Sequence, residues 1–527
     1  MTAGNDLAAQ RQMVDKLQDP TRYPHAVTAV SVIETHISFV ILTGTFAYKI
    51  KKAVDLGFVD YTDPARRRFC CEEELRLNRR LAPQLYLDVV PICGSGSDPR
   101  WTGSAVIDHA VKMAQFAQTD LLDQVLAQGR LTPRHVDALA AALAAFHGSV
   151  PSAAPTPAYG SPDTVWAQMA ALLSRLQALA ATADLSCLAA LDDWCRGENT
   201  RLHAVFARRQ AAGFVRECHG DLHLGNIVLV DDAPVVFDCI EFDPALRWID
   251  IVADLAFLVM DLSERGRPDF AWRVVNAWLE ALGDYAGLEV LRFYWVYRAL
   301  VRAMVAGLRC ADDTLAPSAR QAAEATAHRY LAHAQASAAP APRALIITRG
   351  LAGSGKSTVA RDMAERLGAV RLRSDIERKR LRGLSPLARS GSGLDSGLYG
   401  KDTTRATYER LAELATTVLA AGYPVIIDAT CLRRWQRDRF RALAGALDVP
   451  FFILDCQAPT AVLEQRVAAR EAAGRDASEA TLAVLAAQRR TAEPLDAGEQ
   501  AAAVPVDTTR AEADATLAQL RARWRER

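Results

Sequence analysis

The segment His219-Gly220-Asp221-Leu222-His223-Leu224-Gly225-Asn226 sets a carboxylate and an amide five residues apart. Asp238 follows after two short apolar runs, Ile227–Val230 and Val235–Phe237, that flank Asp231-Asp232-Ala233-Pro234. Those four residues read as a hairpin turn, and a hairpin returns its ends to one place. Asn226 and Asp238 are therefore expected to face one another as the oxygen ligands that Mg²⁺ takes, with Asp221 beside them to receive a hydroxyl proton. His219-x-x-x-His223 does not extend to a zinc site, because no third imidazole or thiol follows at ligand spacing.

A second set lies further along. Gly350-Leu351-Ala352-Gly353-Ser354-Gly355-Lys356-Ser357 matches G-x-x-x-x-G-K-[ST], with an apolar run before it and a helical pattern from Ser357 after it. The chemistry is a phosphate cradle for ATP. Gly350, Gly353, Ser354, Gly355 and Thr358 belong to the loop and helix start that wrap the phosphates, Lys356 reaches the β and γ oxygens, and Ser357 is a Mg²⁺ ligand. Only eight lysines occur in the chain, so one in this loop stands out. Val425-Ile426-Ile427-Asp428 is an apolar strand ending in a carboxylate, and Asp428 is the expected partner of Ser357 at the metal. Ser374-Asp375-Ile376-Glu377-Arg378 begins at the C-terminal end of another strand, where ligands collect in parallel sheets. Asp375 can take an acceptor's proton there and Arg378, one helical turn later, can steer the acceptor.

These residues need two kinds of scaffold. Before residue 335 the pattern gives strands at Ser38–Leu42, Ala47–Ile50, Leu85–Val90 and Ser104–Val111, a charged helix at Arg66–Leu81, and then helices including Val136–His147 and Thr164–Ala181. A strand-rich lobe thus precedes a helical one. Residues 336–343, ASAAPAPR, read as a linker. From Ala344 strands alternate with helices (Ala344–Thr348, Val370–Arg373, Pro424–Ile427, Pro450–Asp455), the sign of a parallel α/β sheet. Gly94–Asp98 and Ser390–Gly397 read as Gly/Ser-rich loops, the second long enough to be mobile.

The string H-G-D-x-x-x-x-N, followed by a hairpin and Asp, resembles the aminoglycoside phosphotransferase and choline kinase branch of the protein-kinase-like fold. In that branch Gly stands where protein kinases have Arg. Ala47-Tyr48-Lys49 resembles the A-x-K strand whose lysine holds nucleotide phosphates, which implies a glutamate from the Arg66–Leu81 helix. Glu72, Glu73 and Glu74 are all candidates, and Glu74 is favoured because Leu77 and Leu81 then form the apolar stripe at its +3 and +7 positions. Thr43-Gly44-Thr45 departs from the usual G-x-G-x-x-G. Asp250 and Asp254 resemble family residues after the metal aspartate, with a bracing and helix-capping role expected. The D-x-x-R at Asp375 and Arg378 resembles polynucleotide kinase, zeta toxin and gluconate kinase. By the same resemblance Glu464–Arg475 is a lid over ATP, with Arg470 and Arg475 as its cations and Arg466 behind them. Asp507-Thr508-Thr509 is expected near adenine. The whole chain resembles a bacterial two-domain family, an aminoglycoside-phosphotransferase-like domain fused to a P-loop kinase domain.

The expected architecture is therefore an α+β bilobal kinase-like domain over 1–335, a linker over 336–343, and an α/β P-loop domain over 344–527. Composition agrees with a globular protein: 50% hydrophobic, 24% charged, and 62 Lys+Arg against 62 Asp+Glu. The balance disfavours a nonspecific nucleic-acid coat. The most apolar stretch, Ile251–Met260, carries Asp254, and the N-terminus has no apolar signal core, so a cytoplasmic protein with no membrane partner is expected. Ten scattered cysteines with no C-x-x-C read as reduced thiols. The leading functional expectation is a bifunctional ATP- and Mg²⁺-dependent kinase of small-molecule hydroxyls, one site per domain. The alternatives are a P-loop domain that senses ATP and gates the first site, or one that phosphorylates nucleic-acid 5′-hydroxyls.

Overall fold

The computed structural model describes residues 3–57, 59–153, 158–179, 184–311, 315–385, 388, 400–473, 480–510 and 513–525. Ser390–Gly397 and Arg475 lie outside the described residues. The chain forms two compact units, Met1–Gln168 with His203–Leu258, and Met169–Leu202 with Val259–Arg527.

Unit 1 is built on an antiparallel sheet of β1 (Ser31–Glu34), β2 (Ser38–Leu42), β3 (Phe46–Lys51), β4 (Tyr86–Ser95), β5 (Asp98–Arg100) and β6 (Val106–Ala114), in the order β1-β2-β3-β6-β4-β5. Gly94–Asp98, expected as a loop, is the tight hairpin joining β4 to β5, with Ser95 opposite Asp98. Alternation along β3 sends Tyr48 and Ile50 into one apolar cluster with Trp101 and Phe39. Ala47, Lys49 and Lys51 take the other face. That face meets the Pro64–Asn78 helix, which starts on the Asp63 cap and buries Arg67, Cys70, Cys71, Glu74, Leu77 and Asn78, a 3.6-residue stripe. The helix ends at Asn78 rather than Leu81, since Pro83 follows closely. β7 (Val215–Glu217) pairs with β10 (Trp248–Asp250), while β8 (Ile227–Val230) and β9 (Ala233–Val236) form the expected hairpin. Its loop is the two residues Asp231 and Asp232, both at positive φ, as a primed turn requires; Ala233 and Pro234 already belong to β9.

In unit 2, β11 (Leu345–Arg349), β12 (Val370–Arg373), β13 (Val425–Asp428), β14 (Phe451–Gln457) and β15 (Ala503–Asp507) form an all-parallel sheet ordered β12-β13-β11-β14-β15. The three central strands, β11, β13 and β14, read as nearly continuous Val/Ile/Leu/Phe runs, as parallel strands covered on both faces do, whereas the outer strand β12 alternates Val-Arg-Leu-Arg. The compact units do not divide at 336–343. The reason is the Pro268–Leu282 helix, which packs on the Lys356–Leu367 helix and on β12. Its Asn276 accepts from the Arg371 N–H at 2.7 Å and donates to the Ala369 carbonyl at 3.0 Å, engaging the outer strand of the sheet. Among the described residues no helix is long and apolar enough to cross a membrane.

Candidate functional sites

Unit 1 gathers its charged groups on the Lys49 face of β3. Glu74 is completely buried and accepts from Lys49 Nζ on Oε1 at 2.9 Å, while Lys51 pairs with its Oε2. The other two candidates point elsewhere, Glu72 to Arg68 and Glu73 to Arg76. Lys49 also pairs with Asp238. Burial alone would lower the Lys49 ammonium, but Asp238 and Glu74 outweigh it and hold the pKa above its ordinary value. Lys51 continues the network to Glu241, which also accepts from the Tyr61 hydroxyl at 2.5 Å.

The loop before β8 is fixed by a carboxylate from the Ile251–Glu264 helix. Asp254 accepts from the N–H of His219 at 3.0 Å, from the N–H of Gly220 at 2.9 Å, and lies 3.1 Å from His147 Nε2. Burial would raise the Asp254 carboxyl, yet the His147 hydrogen bond and the neighbouring imidazoles hold it at about 2. Asp250 accepts from Val252 N–H at 2.9 Å at the start of the same helix and pairs with Arg209 at 2.6 Å. Gly220 sits at φ +89°, and a Cβ there would fall 2.7 Å from the Leu246 carbonyl oxygen. Within the loop, Asn226 donates Nδ2 to the Asp221 carbonyl at 2.9 Å and to its carboxylate at 3.0 Å. That leaves the Asn226 amide oxygen as the acceptor end of the group. His223 Nε2 stands 3.4 Å from Asp221 Oδ2. Asp238, at φ +64°, donates its N–H to the Tyr86 hydroxyl at 3.2 Å. Buried His219 bonds Phe237 O at 2.8 Å, so it serves the backbone rather than a metal. An amide oxygen and a partly exposed carboxylate are the donor set a hard cation takes, so the site fits Mg²⁺.

Unit 2 places the glycine loop between β11 and the Lys356–Leu367 helix. Gly350, Gly353 and Gly355 are all at positive φ, and a Cβ on Gly350 or Gly353 would lie 2.6 Å from a backbone oxygen. The helix start has no side-chain cap on Gly355, leaving its amides to an anion. Lys356 Nζ donates to the Leu351 carbonyl at 2.8 Å, and burial pulls its pKa down against the opposing pull of Asp428, Cys456 and Asp375. Ser357 donates to Asp428 Oδ1 at 3.1 Å. Burial raises the Asp428 carboxyl. Asp428 Oδ2 and Ser354 Oγ are buried with no hydrogen-bond partner. Orphaned oxygens beside an uncapped helix start fit a phosphate and its Mg²⁺.

A cavity of about 640 Å³ opens over this loop, lined by Gly353, Lys356, Thr358, Arg470 and Thr508 among others. Arg466 also lines the cavity, and it donates to Thr508 Oγ1 at 3.0 Å, to the Thr508 carbonyl at 2.8 Å and to the Gly353 carbonyl at 3.4 Å. Arg470 lines the cavity and donates to the Ala480 carbonyl at 3.0 Å. Asp375 and Arg378 form an ion pair at 3.2 Å on the Ser374–Arg380 helix. Strand pairing sets Arg373, two residues before Asp375, opposite Asp428.

Over 483 residues the chain is 32% identical to the uncharacterized protein Rv2004c of Mycobacterium tuberculosis, covering 89% of this chain and 93% of that one. It matches the Phosphotransferase enzyme family over residues 67–294 and the AAA domain family over 345–495. The chain belongs to this two-domain family, a phosphotransferase domain followed by a P-loop kinase domain. It is an ATP-dependent phosphotransferase. Among solved structures it is similar to a putative kinase from Chloroflexus aurantiacus at 23% identity, TM-score 0.29, covering 36% of this chain and 98% of that one. A choline/ethanolamine kinase family protein from Mesorhizobium loti is 12% identical, TM-score 0.37, with 62% and 99% covered.

Sequence reading of this family member missed several groups that hold the sites. Tyr61, Tyr86, His147 and Glu241 carry no local spacing signal; only the fold brings them to Lys51, Asp238 and Asp254. Lys51 had one, since it shares the β3 face of Lys49 two residues on.

Proposed function

We propose that the protein is a bifunctional kinase of small-molecule hydroxyl groups, of the sugar, amino sugar or nucleoside type, with one MgATP site in region 1–335 and another in region 344–527. The observation that supports this is duplication: a lysine lies near two carboxylates once in unit 1, Lys49 with Glu74 and Asp238, and again in unit 2, Lys356 with Asp428 and Asp375. In the first site Lys49, oriented by Glu74, binds nucleotide phosphates, and Asn226 and Asp238 hold the metal. Asp221 takes the acceptor's hydroxyl proton as its oxygen bonds to the γ-phosphorus. The bond from that phosphorus to the β,γ-bridging oxygen breaks and ADP leaves. In the second site the glycine loop, Lys356 and Thr358 hold the phosphates, Ser357 and Asp428 the metal, and Asp375 takes the proton while Arg378 and the lid cations Arg470 and Arg475 orient the reactants. Mg²⁺ supplies charge neutralisation of the phosphates when bound. Ten free cysteines, eight of them buried, support a reducing cytoplasmic setting.

The test is ADP release by the full chain across a panel of hydroxyl metabolites, comparing wild type, Asp221→Asn and Lys356→Ala after each is shown to fold. Each substitution is expected to remove a different acceptor-dependent activity. If Lys356→Ala removes only what Asp221→Asn removes, the P-loop region is a sensor or part of one coupled reaction. No acceptor-dependent ADP release in wild type would refute the reading.

A further inference from the structure

Two arginines stand beside the metal carboxylate of the P-loop site, and both are held from one place. Arg371 and Arg373 lie on β12, next to β13, which ends in Asp428. Glu280, from the Pro268–Leu282 helix, accepts from Arg371 Nη2 on Oε1 at 2.6 Å and from Arg373 Nη1 on Oε2 at 3.4 Å. All three side chains are largely buried. Arg371 Nη1 reaches the Ser357 carbonyl at 3.2 Å. Arg373 Nε stops 3.8 Å from Asp428 Oδ2, within ion-pair range but beyond a hydrogen bond, and that oxygen has no hydrogen-bond partner. The Glu280 carbonyl is also fixed, by Arg380 Nη2 at 2.6 Å.

A guanidinium this close to a buried carboxylate has two options. It closes into a charge-assisted hydrogen bond and consumes the oxygen a cation needs, or it is held back by a second carboxylate. Glu280 supplies the second carboxylate. The helix that carries it falls in the stretch matching the phosphotransferase family, so the P-loop site borrows a group from outside its own family's boundaries.

We propose that Glu280 is a positioning residue of the P-loop site: by holding Arg371 and Arg373 it keeps Asp428 Oδ2 available to the divalent cation that accompanies ATP. This rests on the P-loop loop binding MgATP. Removing the Glu280 charge takes away a carboxylate that competes with Asp428 for Arg373, and a charge-assisted hydrogen bond to Asp428 is strong enough to shift competition with the cation about tenfold.

The experiment measures ATP binding to the full-length protein by calorimetry over a series of Mg²⁺ concentrations, taking as P-loop binding the part that Lys356→Ala removes. Glu280→Gln is expected to raise the Mg²⁺ concentration for half-maximal binding about tenfold and to leave Mg²⁺-free ATP binding unchanged. Adding Arg373→Gln to Glu280→Gln should restore the wild-type Mg²⁺ dependence, a rescue that a merely structural role for Glu280 does not give. An unchanged Mg²⁺ dependence in Glu280→Gln, or a loss of Mg²⁺-free binding that Arg373→Gln fails to rescue, overturns the role of Glu280. If Glu280→Gln does not fold, Glu280→Asp withdraws the carboxylate while keeping its charge and must show a smaller shift in the same direction. No change there overturns the proposal as well. Wild-type protein with no ATP binding removable by Lys356→Ala would instead overturn the MgATP reading, and this proposal with it.

Discussion

The backbone N–H of Gly220 donates to Asp254 Oδ1 at 2.9 Å, so the peptide ahead of Asp221 is fixed by a carboxylate 34 residues later in the chain. Asp254 is fully buried and its other oxygen serves His219 and His147. Breaking such a buried charged network costs about 3–5 kcal/mol. Asp254→Asn should lower stability to urea by that order and remove the Asp221-dependent activity together with it.

The same group sets an acid limit. Its folded pKa is about 2 against 3.8 for the ordinary carboxyl, so its contribution is complete above 3.8 and is lost as pH falls through about 2. At 1.36 kcal/mol per pKa unit this amounts to about 2 kcal/mol. Urea titrations of wild type and Asp254→Asn between pH 5 and pH 2 should converge by about that amount. Parallel curves would show that Asp254 is not the ionised brace.

Gly220 tolerates no side chain, on two counts. Its φ of +89° is costly for L residues, and a Cβ would meet the Leu246 carbonyl oxygen at 2.7 Å. Gly220→Ala should destabilise by about 1–3 kcal/mol and displace the Asp221 loop. Its signature is loss of the Asp221-dependent activity with ATP binding at the P-loop intact.

Lys51 lies between Glu74 and Glu241 with no exposure. Lys51→Met leaves two carboxylates facing a thioether and should cost about 3–5 kcal/mol in stability. Combining it with Glu241→Gln should recover part of the loss, a coupling that a double-mutant cycle measures directly. Strict additivity would mean the contacts do not act as a network.

On the proposed reading, Asp428 trades stability for cation binding. Because burial raises its folded pKa, the native state holds the proton more tightly than the unfolded chain; its contribution is complete below 3.8 and is lost as pH rises through the folded value. Above its folded value the ionised group is therefore a net cost. Asp428→Asn should raise the Tm of the nucleotide-free protein while abolishing Mg²⁺-dependent ATP binding at the P-loop. A lowered Tm would contradict this.

Much of the fold was legible because its periods are local. β12 runs from Val370 to Arg373 in sequence and structure alike, and the glycine loop announces its neighbours through residues that only one backbone path accommodates. Glu74 was distinguishable from Glu72 and Glu73 because a helix stripe has a phase. What stayed hidden was long-range partnership: no spacing rule connects His147 to Asp254, or Glu280 to Arg373. The linker composition at 336–343 was equally local, and it carries no information about the Pro268–Leu282 helix returning to cover β12.

That cover has a consequence for how such a chain can be inherited. β12 is an outer strand, and an outer strand with free backbone groups invites pairing with other molecules. Here the Asn276 amide occupies the Arg371 N–H and the Ala369 carbonyl, doing with one side chain what a further strand would otherwise do. A gene split at the proline-rich segment would leave the downstream product with a naked, sticky border and the upstream product with a stranded amide. Separating the two segments would therefore be expected to leave both partners of this contact unsatisfied.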